Sequence, residues 1–160
     1  MASFIGTFTN RIDRKGRVSV PARFRAALAA PPAAGAFNGV VVAPNGGLGA
    51  IDACDRQRIE DTIDRLDARD GLTAEEQEAI ELVLSDSEEL PFDGEGRIIL
   101  PERLIALAGI EDKAVFVGIG RVFQVWSPER REAWKSEASE GPLGRIGLKD
   151  LWSLGAGGGA

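Results

Sequence analysis

The sequence predicts a mainly β fold with helices, an α+β chain made by internal duplication, and three observations point to it. The segment "DRKGRVSVPARFR" (13–25) recurs as "DGEGRIILPERLI" (93–105), with Asp, Gly, Arg, Pro and a later Arg at matching places and no gap. Each copy sits in the same predicted order of strand, turn, strand, proline and short helix, and the hairpin and helix that follow each copy also match. A duplicated supersecondary unit does not readily bury its apolar face alone. Two copies packed around a shared pseudo-two-fold axis can.

Taken in order, "FIGTFTNRI" alternates as a strand does. "DRKG" is a tight turn with Asp13 at its start and Gly16 at its end, where a positive φ costs nothing. "RVSVP" puts Val18 and Val20 on one face and Ser19 on the other, and Pro21 ends the strand and opens the helix "ARFRAAL". "APPAAGAFNG" is a breaker-rich loop, and "VVVAP" and "AIDA" are strands around the turn "NGGLG". From Asp55, the spacing of Ile59, Ile63 and Leu66 predicts a helix. Thr73 starts another, with Glu76 as capping-box partner and Ile80, Val83 and Leu84 as its apolar stripe. "ELPFDGEGRIILPERLIALAG" then repeats the first pattern. "KAVFVGIG" and "RVFQVWS" make a hairpin, and "PERREAWKSEA" a helix with Pro128 in its first turn. The repeat covers residues 7–68 and 87–139, with 69–86 inserted. The last twenty residues hold seven glycines and read as a flexible tail, with "LKDLWSL" an exposed apolar spot inside it.

Composition narrows the function classes. There is no His, which removes the commonest general base and the commonest transition-metal ligand. A lone Cys54 builds neither a zinc knuckle nor an intrachain disulfide. No P-loop, nucleophile elbow, EF-hand loop or DxD cluster occurs. Carboxylates such as Asp13 and Asp93 could still serve acid–base chemistry, but nothing around them in sequence completes a catalytic set. The expectation is a protein that is not an enzyme and takes no cofactor or metal. No apolar run approaches the ~20 residues of a membrane helix, and "MASFIGTFTNR" lacks the pattern of a secretory signal, so a cytoplasmic protein with no membrane partner is expected.

Net charge is −6, yet its distribution says more than its sum. Over residues 1–30, Arg11, Arg14, Lys15, Arg17, Arg23 and Arg25 stand against Asp13 alone, a net of +5. Residues 52–96 carry sixteen acids against four arginines, a net of −12, and residues 97–160 carry nine bases and eight acids. Local field steers a polyanion within a Debye length of about 8 Å. The first basic segment therefore reads as a nucleic-acid contact, and the acidic middle as a face turned away from it.

The doubled Asp-x-x-Gly-Arg motif, together with "VFVGIGRVFQVWSPERREAW" downstream, resembles the MraZ family over Phe4 to Ala138. That family consists of bacterial transcriptional regulators with two SpoVT/AbrB-type domains in one chain. The resemblance implies a duplicated swapped-hairpin AbrB-like β-barrel with packed helices. Its domains would be 7–54 and 87–130, joined by a helical connector at 55–86 and followed by a C-terminal helix at 131–140 and the flexible tail at 141–160. It also implies a ring-shaped homo-oligomer, cytoplasmic and nucleoid-associated. The ring would bind double-stranded DNA at short direct repeats in the promoter of the division and cell-wall gene cluster, its own gene included. By position, Asp13 and Arg17 match the first motif, and Asp93 and Arg97 the second. Glu95 stands in the second copy where Lys15 stands in the first.

Roles follow from side-chain chemistry. Arg17 is the candidate reader of guanine, since Arg bonds O6 and N7 together. Arg14 and Lys15 would position the phosphate backbone. Arg23 and Arg25 are either further contacts or solvated helix charges, and Arg11 a contact or a cation on a strand's wet face. Asp13, Gly16, Asp93, Gly96 and Arg97 read as structural, with Arg97 paired to Asp93. The alternative function is an antitoxin-like AbrB module that binds another protein through its acidic helices.

Overall fold

Alternating side chains make the strands of this chain, and prolines end them. The computed structural model describes residues 2–28 and 37–157. The predicted loop at 30–39 and the last three glycine-tail residues lie largely or wholly outside the described residues. The chain forms two compact units, Met1–Pro128 and Glu129–Ala160. The first unit holds all of the first repeat and the second repeat up to Pro128. Its elements are β1 (Phe4–Arg11), β2 (Arg17–Ser19), α1 (Ala22–Ala27), β3 (Gly39–Asn45), β4 (Ala50–Cys54), α2 (Arg56–Asp67), α3 (Ala74–Ser85), β5 (Glu88–Pro91), β6 (Arg97–Ile99), α4 (Glu102–Ala108), β7 (Lys113–Gly120) and β8 (Phe123–Trp126). No described helix is long and apolar enough to cross a membrane.

All pairings between named strands are antiparallel. One sheet has the order β1-β7-β8-β4-β3-β5, and β2 pairs with β6 in a separate two-stranded ribbon. With β1, β3 and β4 of the first repeat matched to β5, β7 and β8 of the second, the six-strand order reads the same from either end. Register obeys the same symmetry. Asn10 lies opposite Ala114, and its repeat-mate Leu90 lies opposite Val40. The entry strand of each repeat is therefore paired with the other repeat. The fold is mixed α+β on an antiparallel sheet. Among the described strands, β1 and β5 remain sheet edges and no hydrogen-bonded barrel closes.

The ribbon marks the axis. Val18 lies opposite Ile98, Arg17 opposite Ile99, and Ser19 opposite Arg97. Just beyond the ladder, the Leu100 N–H donates to the Gly16 carbonyl at 2.8 Å, and the Val20 N–H to the Gly96 carbonyl at 3.3 Å. On the sheet, the axis falls at the Asp52–Gln124 pair. There the Gln124 amide donates to Asp52 Oδ1 at 2.8 Å and accepts from Trp126 Nε1 at 3.0 Å, so a nearly buried amide is satisfied.

One apolar cluster joins the ribbon, the sheet and helices α1 and α4. At its centre Phe24 of α1 meets Phe4 edge-on at 5.3 Å and Phe123 at 5.0 Å, and Phe4 and Phe123 are 4.9 Å apart. Truncating an aromatic so buried costs about 3–5 kcal/mol. Pro21 and Pro101 stand as the N-caps of α1 and α4 and turn each chain from ribbon into helix.

The acidic helices differ from expectation in packing. α3 buries no residue fully: of its apolar stripe Val83 is exposed, whereas Ile80 and Leu84 are half-buried. The helix is also fixed at its end: Thr73 Oγ1 accepts from the Glu76 N–H at 3.0 Å, and Glu76 Oε1 accepts from the Thr73 N–H at 3.1 Å. This reciprocal cap holds the Glu76 carboxyl below its ordinary range, chiefly through the Thr73 amide.

The segment expected to be a flexible, glycine-rich tail contains helical structure. Beyond α5 (Pro128–Ser139) come a 3-10 turn at Pro142–Arg145 and α6 (Leu148–Gly157). The Gly147 N–H donates to Asp150 Oδ2 at 2.9 Å, which satisfies an otherwise free donor at the start of α6. Leu, Lys, Trp and Ser over the next turns propagate helix well enough to reach the glycines.

Gly16 tests the axis. It holds φ +85°, and a Cβ there would stand 2.6 Å from the Leu100 carbonyl oxygen. Gly16→Ala is expected to destabilise by about 1–3 kcal/mol in urea titrations. Gly46→Ala, which meets open space, should stay within ~0.5 kcal/mol. Equal effects would contradict the packing described.

Candidate nucleic-acid interface

Each repeat's turn is locked by a single carboxylate. Asp13 Oδ1 accepts from the backbone N–H of Lys15 at 3.0 Å and of Arg17 at 2.9 Å, while Oδ2 accepts from Arg17 Nε at 2.6 Å. Asp93 does the same, taking the Glu95 N–H at 2.8 Å, the Arg97 N–H at 2.9 Å and Arg97 Nε at 2.8 Å. The Gly16 and Gly96 N–H groups close the turns on the Asp13 and Asp93 carbonyls at 3.0 and 3.1 Å. The amide of Arg17, aided by its guanidinium, holds the Asp13 carboxyl below its ordinary value of 3.8, and Arg97 does so for Asp93. Exposed ion pairs add little to global stability. The carboxylate's larger effect is to fix the loop shape and aim the arginine.

The scaffold is symmetric, but the charges on it are not. In the second loop Arg97 also pairs through Nη2 with Glu95 at 3.2 Å. Asp93 first, then Glu95 and Asp13, hold the Arg97 guanidinium more firmly protonated than usual. In the first loop, Lys15 replaces Glu95, and Arg17 makes no further hydrogen bond or ion pair among the described residues. Its Nη groups remain open for two parallel bonds. Arg14 and Lys15 are exposed, with no ion pair among the described residues. On the helices, Arg103 of α4 is tied to Glu88 at 2.8 Å and to the Asp86 carbonyl at 2.8 Å. Its repeat-mate Arg23 on α1 is exposed and has no such partner among the described residues. The second copy thus ties Arg97 and Arg103 to carboxylates, whereas the first leaves Arg14, Lys15 and Arg23 exposed without an ion pair among the described residues.

Strand exchange redistributes the predicted residues. Arg14, Lys15 and Arg17 sit together on the first loop. Arg11 ends β1 opposite Lys113 of β7, and that lysine adds an exposed cation that lies far away in sequence. Arg25 is elsewhere. Its Nε donates to the Val20 carbonyl at 3.0 Å, and its guanidinium lies where a side chain on Gly96 would. It therefore packs on the second loop, just as its repeat-mate Ile105 packs over Gly16. Both loops flank one ribbon face, from which Arg17, Ser19, Arg97 and Ile99 project outward. The sequence carried no sign that Lys113 and Ile99 belong beside the first loop, because only pairing between repeats brings them there. Among the described residues, no group of three or more His, Cys, Asp or Glu is placed to hold a metal ion.

Residues 83–145 match the family model described as "MraZ protein, putative antitoxin-like". Similar proteins share the name "Transcriptional regulator MraZ". One from Rhodospirillum rubrum is 49% identical over 137 residues, covering 83% of this chain and 84% of that protein. One from Rickettsia bellii is 39% identical over 142 residues, covering 88% and 91%. One from Parvibaculum lavamentivorans is 41% identical over 141 residues, covering 88% and 85%.

The loop carboxylates give the molecule a defined acid response. Both folded values lie below 3.8, so their contribution is fully present above that pH and is lost as pH falls through the lowered values. Replacing both Asp13 and Asp93 with Asn should make the acid loss of stability shallower in denaturant titrations below pH 3.8. Matching slopes for variant and wild type would contradict the loop assignment.

Proposed function

Because this chain belongs to the MraZ family, whose curated relatives above are named transcriptional regulators, we propose that it regulates transcription by binding double-stranded DNA through the first loop. Arg17 reads a base edge, Arg14 and Lys15 hold phosphates, and Arg11 and Arg23 extend the cationic track. The observation that carries the reading is the contrast between two loops of one shape. Arg17 is aimed by Asp13 with its Nη groups open, whereas Arg97 is closed off by Glu95. Arg25, with its Nε committed to Val20, contributes beside the second loop. In this reading Asp13, Gly16, Asp93, Gly96 and Arg97 keep the architecture.

The targets are short direct repeats in the promoter of the division and cell-wall gene cluster, including the gene for the protein itself. The acting form is a ring of subunits, cytoplasmic and nucleoid-associated. A single basic loop is a weak binder, and several linked loops on repeated sites raise avidity without new contacts. The exchange of entry strands between repeats supports reading the ribbon and sheet together as a swapped-hairpin barrel. Catalysis has no part in this function.

A second reading has one observation in its favour: acidic α3 exposes Leu82 and Val83. An antitoxin-like module would bind a protein there. A partner recovered from cells through that helix, with no DNA shift at low salt, would support it.

Gel shifts with DNA from upstream of the protein's own gene, at two salt concentrations, test the main reading. Arg17→Ala should cost about 1–3 kcal/mol per site and relax base preference. Lys15→Ala should weaken binding across sequences and reduce the salt slope by about one. Arg97→Ala, shown folded by circular dichroism, should lose far less than Arg17→Ala. Equal losses from the two arginines would overturn the division of roles.

A further inference from the structure

The outer face of the two-stranded ribbon carries an apolar side chain where solvent would favour a polar one. Val18, Val20, Ile98 and Leu100 point inward and are at most 2% exposed. Alternation sends Arg17, Ser19, Arg97 and Ile99 the other way. Ile99 is 59% exposed. Its register partner is Arg17, so it stands beside the first, cationic loop although it belongs to the second repeat. The repeat-mate of Ile99 is Ser19, which lies opposite Arg97 at the other end of the ribbon. The ribbon thus presents an open arginine with an isoleucine at one end, and a tied arginine with a serine at the other.

We propose that Ile99 is a specificity-determining residue that contacts a thymine C5-methyl group next to the base read by Arg17. The inference rests on the DNA-binding reading above and adds a second recognised base. A two-stranded ribbon fits the major groove, about 12 Å wide. Directly opposed side chains in an antiparallel pair have Cβ atoms about 5 Å apart, between one and two base-pair steps of about 3.4 Å, so such a pair can reach adjacent base pairs. The thymine methyl is the one apolar group that base edges display in that groove. Isoleucine can neither donate nor accept a hydrogen bond, so cytosine at the same place would leave its amine unpartnered. The surroundings favour DNA over an apolar protein patch, because Arg14, Lys15 and Arg17 would all have to be desolvated to seat one.

The test uses the full chain and the duplexes it selects from a random-sequence pool. Each thymine is then replaced singly by uracil, which removes the methyl group and nothing else. Wild type should lose about fourfold in affinity at one thymine per repeat, the worth of one buried methyl. That thymine should adjoin the guanine whose preference disappears in Arg17→Ala. Ile99→Ala and Ile99→Ser, both at an exposed site, should bind thymine and uracil duplexes equally. If wild type is indifferent to uracil everywhere, or if Ile99→Ala keeps the full penalty, the inference fails while DNA binding stands. If Ile99→Ala alters the oligomeric state and leaves the penalty intact, the residue is a subunit contact and the inference again fails. A chain that selects no duplex would sink the DNA-binding reading itself.

Discussion

The Gly16 carbonyl accepts from the Leu100 amide, and the Gly96 carbonyl accepts from the Val20 amide. Through these two bonds each repeat completes the other's turn. The bonds lie at the ends of a ribbon only three residues long on each side, too short to persist alone. Its stability comes from the inward side chains Val18, Val20, Ile98 and Leu100, which join the same apolar cluster as Phe4, Phe24, Phe116 and Phe123. Burial of a shared core therefore holds the loops, and the loops cannot be shaped by one repeat in isolation. The same dependence runs through the sheet, where β1 needs β7 and β5 needs β3.

A duplicated scaffold of this kind frees one copy to change its surface. Positions that set the fold are the same in both repeats: Asp13 and Asp93, Gly16 and Gly96, Arg17 and Arg97, Pro21 and Pro101. Positions that set the field differ: Lys15 against Glu95, Arg14 against Gly94, and Arg25 against Ile105. Rigidity and charge are thereby separated. The second loop supplies a fixed counterpart and lends Ile99 to the first, while the first carries the unpaired cations. Because strands cross between repeats, the surface around the first loop is assembled from both halves of the chain.

Local chemistry was legible in the sequence, and pairing between repeats was not. The Asp-x-x-Gly-Arg turn could be read because Asp, Gly and Arg act within five residues of one another, and the Thr73–Glu76 cap because both partners lie in one helical turn. The duplication pointed to a shared axis without saying which strand meets which. Arg25 was grouped with the first loop on sequence proximity, yet its contact is Gly96, reached only through strand exchange. Ile99 and Lys113 were missed for the same reason. Periodicity identified α3 but not how far its stripe is covered: Ile80 and Leu84 are half-buried and Val83 is exposed. In the tail, glycine count outweighed one aspartate able to cap a helix.

Hydrogen exchange at the Val20 and Leu100 amides tests the mutual completion of the two turns most directly. The two amides should open with matched free energies in the wild type, and Asp13→Ala, a change confined to the first loop, should lower protection at both. Independent opening, or a loss restricted to Leu100 while Val20 keeps its protection, would mean that the repeats hold their loops separately.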